Sequence, residues 1–104
     1  MITTSAEQNR PGHQVLPGVL CDDAQYSHET ETGEEYWVVG FLPYAPDKTL
    51  EELDVFIPRE LFEKRSELFR GGHRLFIEGE VDKTAPVMFA KDAWFWRGQG
   101  LQAA

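Results

Sequence analysis

A single cysteine, Cys21, leaves this chain with neither an intrachain disulfide nor a thiolate metal cluster. No apolar run approaches the roughly 18 residues that a bilayer span requires. The polar opening, residues 1–12, has no apolar middle of the kind a secretory leader carries. A reducing, cytoplasmic setting without a membrane partner is therefore expected. Positive charge is also scarce, with 10 Lys and Arg against 18 Asp and Glu and a net charge of −8. The shortage is local: residues 1–58 set only Arg10 and Lys48 against eleven acids, whereas residues 59–104 are nearly balanced. Such a first half repels polyanions at long range and supplies no basic footprint.

Signatures of catalysis are missing too. His13, His28 and His73 lie far apart, and none has zinc-ligand spacing with Cys21. No Lys-Ser/Thr follows Gly71-Gly72, so the pair is not a phosphate loop. The adjacent acids Asp22-Asp23 and Glu34-Glu35 read as solvated loop charges rather than a cation site. These absences predict a protein that is not an enzyme and needs no cofactor or metal.

What the chain has in quantity is aromatic surface, 12% of 104 residues. That length is one domain with a modest core, and rings of 150–250 Å² each can fill it with some to spare. Residues 13–21 read as a first strand broken by Pro17-Gly18, a pair that suggests an edge, a bulge or a sharp bend. Residues 22–33 are polar and acidic and read as a loop ending in a turn at Thr32-Gly33. Tyr36 to Leu42 is dense in β-branched and aromatic side chains and reads as a second strand. A proline-rich connector leads to a third strand, in which Leu53, Val55 and Ile57 face inward and Phe56 outward.

From Arg59 to Arg70, Leu61, Phe62, Leu68 and Phe69 form a helical stripe between Pro58 and Gly71-Gly72. The fourth strand places Leu75, Ile77 and Gly79 inside, with Phe76, Glu78 and Glu80 outside. The fifth runs from Val87 to Trp96, with Trp94 and Trp96 on one face. Residues 1–12 and 98–104 are expected to be flexible tails around a domain at 13–97. The reading is an all-β protein with one short helix: a five-stranded Greek-key barrel whose helix lies between the third and fourth strands.

That order is the order of the OB-fold, and three stretches carry a closer likeness. Thr32-Gly33 with Tyr36-Trp37-Val38-Val39, the run from Val55 to Lys64, and the run from Arg74 to Val81 resemble successive parts of one family. It is the OB domain of bacterial DNA polymerase III alpha subunits; anticodon-binding OB domains share much of the pattern. The resemblance spans residues 14–96 and implies a nucleic-acid-binding barrel.

Single strands bind on stacking rings flanked by bases. Stacking candidates are Tyr36, Phe56, Phe76, Trp94 and Trp96; phosphate-contact candidates are Lys48, Arg59, Arg74, Lys83, Lys91 and Arg97. The first expectation is a module for single-stranded nucleic acid, with DNA favoured, accessory to replication, repair or recombination. The second is a protein-interaction module that offers an acidic face and aromatic anchors to a basic protein partner. Self-association through an edge strand belongs with this second reading.

Overall fold

The computed structural model describes residues 12–44, 51–82 and 84–97. Within them the chain forms β1 (His13–Leu20), β2 (Gln25–Glu29), β3 (Glu35–Pro43), β4 (Leu53–Pro58), helix α1 (Arg59–Lys64), a 3-10 turn (Ser66–Leu68), β5 (Arg74–Asp82) and β6 (Val87–Phe95). The strands pair in the order β1-β5-β6-β4-β3-β2, and β1 also pairs with β3, which closes the ring. The β4–β6 pairing is parallel and the others are antiparallel. The expected tails, apart from Gly12, lie outside the described residues.

Six segments make five barrel strands because β1 and β2 lie end to end along β3. The polar stretch expected to be a loop at residues 22–33 thus contains β2, the second half of a bent first strand. Its sequence, Gln-Tyr-Ser-His-Glu, shows no inward apolar series that would mark a strand. Pairing with β3 and the edge of Tyr26 against the Trp37 ring, at 5.2 Å, hold it instead. The helix stands between the third and fourth barrel strands, β4 and β5, as the order of the OB-fold requires.

Closure depends on the Pro17-Gly18 bend. Residues 13–19 pair with β5, and residues 18–20 pair with β3. Gly18 sits where a side chain would collide with the Leu42 carbonyl and the Phe41 ring, so the strand can turn across the core only without a Cβ. Phe41, Val55, Ile57, Leu75, Ile77, Met88 and Ala93 fill the interior and are sealed from solvent.

The expected helix at residues 59–70 is in fact two pieces. The helix ends at Lys64, Arg65 leaves helical geometry (φ −135°, ψ 43°), and the 3-10 turn follows. The cause is the gap in the apolar stripe between Phe62 and Leu68. A continuous helix would turn Lys64 or Arg65 toward the core. Arg65 instead reaches Asp92 on β6 at 3.8 Å, and the chain re-turns to bury Leu68 and Phe69. The plug is completed by a run of rings: Trp37 stacks on Phe62 at 4.6 Å, and Phe62 on Phe69 at 6.1 Å.

The β5–β6 register shifts between Glu78 and Gly79, where Lys91 is the extra residue on β6. A Cβ on Gly79 would overlap the Phe89 carbonyl and the Ala90 backbone, neither of which can rotate away. Gly79→Ala should therefore cost about 1–3 kcal/mol, in line with overpacking elsewhere. The melting temperature followed by circular dichroism should fall by roughly 5–15 °C; an unchanged melt would show that the bulge can re-register.

Candidate nucleic-acid interface

The outward residues of β2, β3, β4 and β6 form one surface. The register aligns Gln25, Val38, Phe56 and Phe89 across neighbouring strands, and His28, Tyr36 and Pro58 across the next row. Four rings in these rows touch in sequence. Tyr36 stacks on His28 at 5.4 Å and 17°, His28 meets the edge of Phe56 at 5.7 Å, and Phe56 stacks on Phe89 at 5.5 Å and 23°. Phe89 is 47% exposed. The ladder spans the second and third barrel strands, the face with which OB-folds hold oligonucleotides, between the β2–β3 turn and the β5–β6 turn.

Local irregularity sets this arrangement. The register of β2 slips between Tyr26 and His28. Ser27 becomes the extra residue, and the slip brings His28 opposite Tyr36, with the Ser27 hydroxyl 2.8 Å from its Nδ1. In the β5–β6 turn, Asp82 accepts hydrogen bonds from the Thr84 amide and hydroxyl at 2.9 and 2.7 Å. Those bonds hold its carboxyl below the usual carboxylate range.

The bases expected to serve the ladder are engaged with acids. Arg59 lies 3.3 Å from Glu35 and 2.9 Å from Glu63, and Lys91 lies 3.7 Å from Glu80. The Glu63 hydrogen bond, then the charges of Glu63 and Glu35, raise the Arg59 pKa. Glu29, Glu31, Glu34 and Glu35 crowd the β2–β3 turn and Asp54 sits beside Val87, so the ladder has an acidic collar. Lys48 and Lys83 lie outside the described residues.

The other candidates gather elsewhere on the barrel. Phe76 stacks on Trp94 at 6.0 Å, and Trp96 tilts against both Phe76 and Tyr44. Arg74 is placed between Val19 and Trp96, and the Arg97 guanidinium lies 5.6 Å from the centre of the Phe95 ring. The outward acids Glu78 and Asp92 separate this cluster from the ladder. The candidate list thus divides: Tyr36, Phe56, Arg59 and Lys91 at the ladder; Phe76, Trp94, Trp96, Arg74 and Arg97 at the second cluster.

Sequence reasoning missed His28 and Phe89. Phe89 could have been found, since it alternates with the buried Met88 and Ala90. His28 could not, because its orientation comes from the slip at Ser27. The acid pair Asp22-Asp23 also has work beyond solvation. Asp22 accepts from the Gly40 amide at 3.2 Å and Asp23 from the Gly71 amide at 2.7 Å, tying the β1–β2 bend to β3 and to the turn before β5.

Together the closed ring, the parallel β4–β6 pair and the helix position define an OB-fold barrel. No protein-family model matches the chain, and no curated protein matches it in sequence. Among solved structures it is similar to the dimeric N-terminal domain of PriB protein from Thermoanaerobacter tencongensis, with a TM-score of 0.66 and 23% identity. The match covers 84% of this chain and 98% of that one. At that identity the likeness establishes the fold.

The lone thiol offers a probe of the acidic half. Burial first, then the charges of Glu52 and Asp22, push the Cys21 pKa above its ordinary value. A raised thiol pKa means less thiolate at neutral pH. Iodoacetamide should therefore modify Cys21 more slowly at pH 7.5 than it modifies an unstructured peptide thiol. Glu52→Gln should move the pH–rate curve toward lower pH; an unmoved curve would show that the Glu52 charge does not reach the sulfur.

Proposed function

We propose that this chain is a non-catalytic OB module that binds single-stranded DNA on the Tyr36–His28–Phe56–Phe89 ladder, as an accessory to replication, repair or recombination. The observation that carries the reading is the ladder itself, an unbroken set of rings on the face that OB-folds use. Magnitudes decide between the rings and the acids around them. A unit charge one Debye length from a phosphate, about 8 Å, interacts by roughly 0.5 kcal/mol in water before screening. The net excess of a few acids around the ladder then costs about 1–2 kcal/mol. Each stacked base returns roughly 1–3 kcal/mol. Two stacked bases outweigh the collar.

This balance gives the binding an unusual signature. With Arg59 and Lys91 already engaged by acids, a bound strand makes about three phosphate contacts at most. The slope of log K against log salt should then be about −2 or shallower, against roughly −4 to −7 for six to ten contacts on a single strand. The test is anisotropy of a labelled oligo(dT) across a salt series starting near 50 mM. The double substitution Phe56→Ala with Phe89→Ala should lower affinity about thirtyfold or more, since at least 2 kcal/mol of stacking is removed. Trp96→Ala should leave affinity unchanged. No binding by the intact chain at the lowest salt would refute the proposal.

A second reading, self-association, is favoured by one edge. Among the described residues, His13–Leu16 of β1 pair with β5 and leave their other side open. An open edge of this kind invites a second strand, and the PriB domain of like fold is described as dimeric. Light scattering should give twice the monomer mass, and Val15→Pro, which removes a main-chain donor there, should restore the monomer.

A further inference from the structure

The second aromatic cluster has features that the ladder lacks. Its rows are Pro17–Phe76–Trp94 and Val19–Arg74–Trp96, read across β1, β5 and β6. Beside them opens a groove of about 280 Å³ walled by Val19, Leu42, Pro43, Tyr44, Arg74 and Trp96. Leu42 and Tyr44 are 43% and 58% exposed, so that side of the apolar wall faces solvent, and the neighbouring Trp94 is 36% exposed. A second groove shares the Arg74–Trp96 wall and continues to Arg97. Among the described residues, Arg74, Arg97 and the helical Lys64 make no ion pair, whereas Arg59, Arg65, Arg70 and Lys91 each do. In a chain with eight surplus negative charges, two cations without counter-ions beside an apolar slot stand out.

We infer that this surface docks an acidic segment of a partner protein, with one bulky apolar side chain entering the Leu42–Tyr44–Trp96 groove and flanking carboxylates meeting Arg74 and Arg97. Arg is the residue suited to such pairing, because its planar fork takes a carboxylate on two donors. The groove is smaller than the ~300–1,000 Å³ sites that engulf drug-sized ligands. It suits an anchor residue, the usual centre of a peptide or protein contact. Nucleic acid fits less well. Phe76 and Trp94 stack at 23°, but Trp96 is tilted by 53° to Tyr44 and 56° to Phe76, so the rings that wall the groove form a slot. Glu78, 3.1 Å from His13, and Asp92, 3.8 Å from Arg65, bound one end of the surface. This inference does not rest on the ladder's function, and either can fail alone.

The probe is a fluorescein-labelled peptide with one Phe flanked on each side by two Asp, read by anisotropy against the full chain. The expected result is saturable binding that weakens at least tenfold in Arg74→Glu and in Trp96→Ala. A peptide with Ala for Phe, or Lys for Asp, should bind at least tenfold more weakly. Phe56→Ala with Phe89→Ala should leave peptide affinity unchanged, and circular dichroism should show all variants folded. Arg74→Gln, which keeps a polar side chain of similar reach, guards against misfolding of the charge reversal and should show an intermediate loss. No binding to the intact chain, or equal binding by Arg74→Glu, would overturn the inference. So would displacement of the peptide by oligo(dT), which would assign the surface to nucleic acid.

Discussion

The barrel exists because one strand serves two neighbours. β1 lies against β5 for most of its length and reaches β3 only beyond Pro17-Gly18. A residue with a side chain at position 18 would press on Phe41, itself sealed in the core. The missing Cβ therefore sets how closely β1 crosses the interior, and that crossing closes the ring. Closure in turn curves the sheet, so that the outward side chains of β2, β3, β4 and β6 share one surface. The ladder is a consequence of the bend at Gly18 as much as of the rings that compose it.

The strands with inward apolar alternation were legible from their residues alone. Leu53, Val55 and Ile57, and Leu75, Ile77 and Gly79, face inward as their period of two requires. The split of Trp94 and Trp96 from Phe95 was equally legible, since Phe95 packs against the core and the tryptophans do not. β2 was not legible, because its side chains carry no alternating apolar series and its strand character comes from β3. The break at Arg65 left a trace, the gap in the stripe after Phe62, but a gap does not tell whether the helix bends, stops or re-forms. Local pattern reports a segment's own burial; it is silent where a neighbour imposes the conformation.

The same limit governs the site. Sequence reasoning selected rings and bases one by one; of those rings Trp94 is exposed, and Tyr36, Phe56, Phe76 and Trp96 are half-buried. It could not group them, because grouping depends on which strands adjoin. Tyr36 and Phe56 are twenty residues apart yet are joined through His28, which is brought to the ladder by a one-residue slip. Phe76 and Phe56 are equally far apart in sequence but belong to different surfaces. Nor could composition tell that Arg59 and Lys91 would be engaged while Arg74 and Arg97 would not. A basic residue contributes to a polyanion site only with the charge its neighbours leave it.

Ion pairing therefore sorts the two surfaces by the physics available to each. At the ladder, acids have already met the bases, so attraction there must come mainly from ring against ring, which is short-ranged and little affected by salt. At the Arg74–Trp96 surface, charge is uncompensated and the apolar area is concave, so attraction there begins at longer range and ends in one pocket. The proposed DNA strand would draw on the first kind of surface and the proposed acidic peptide on the second. The row of Glu78 and Asp92 lies between the two surfaces. On the two readings proposed, the closed sheet would offer each guest its own surface, selected by what the neighbouring carboxylates have left available.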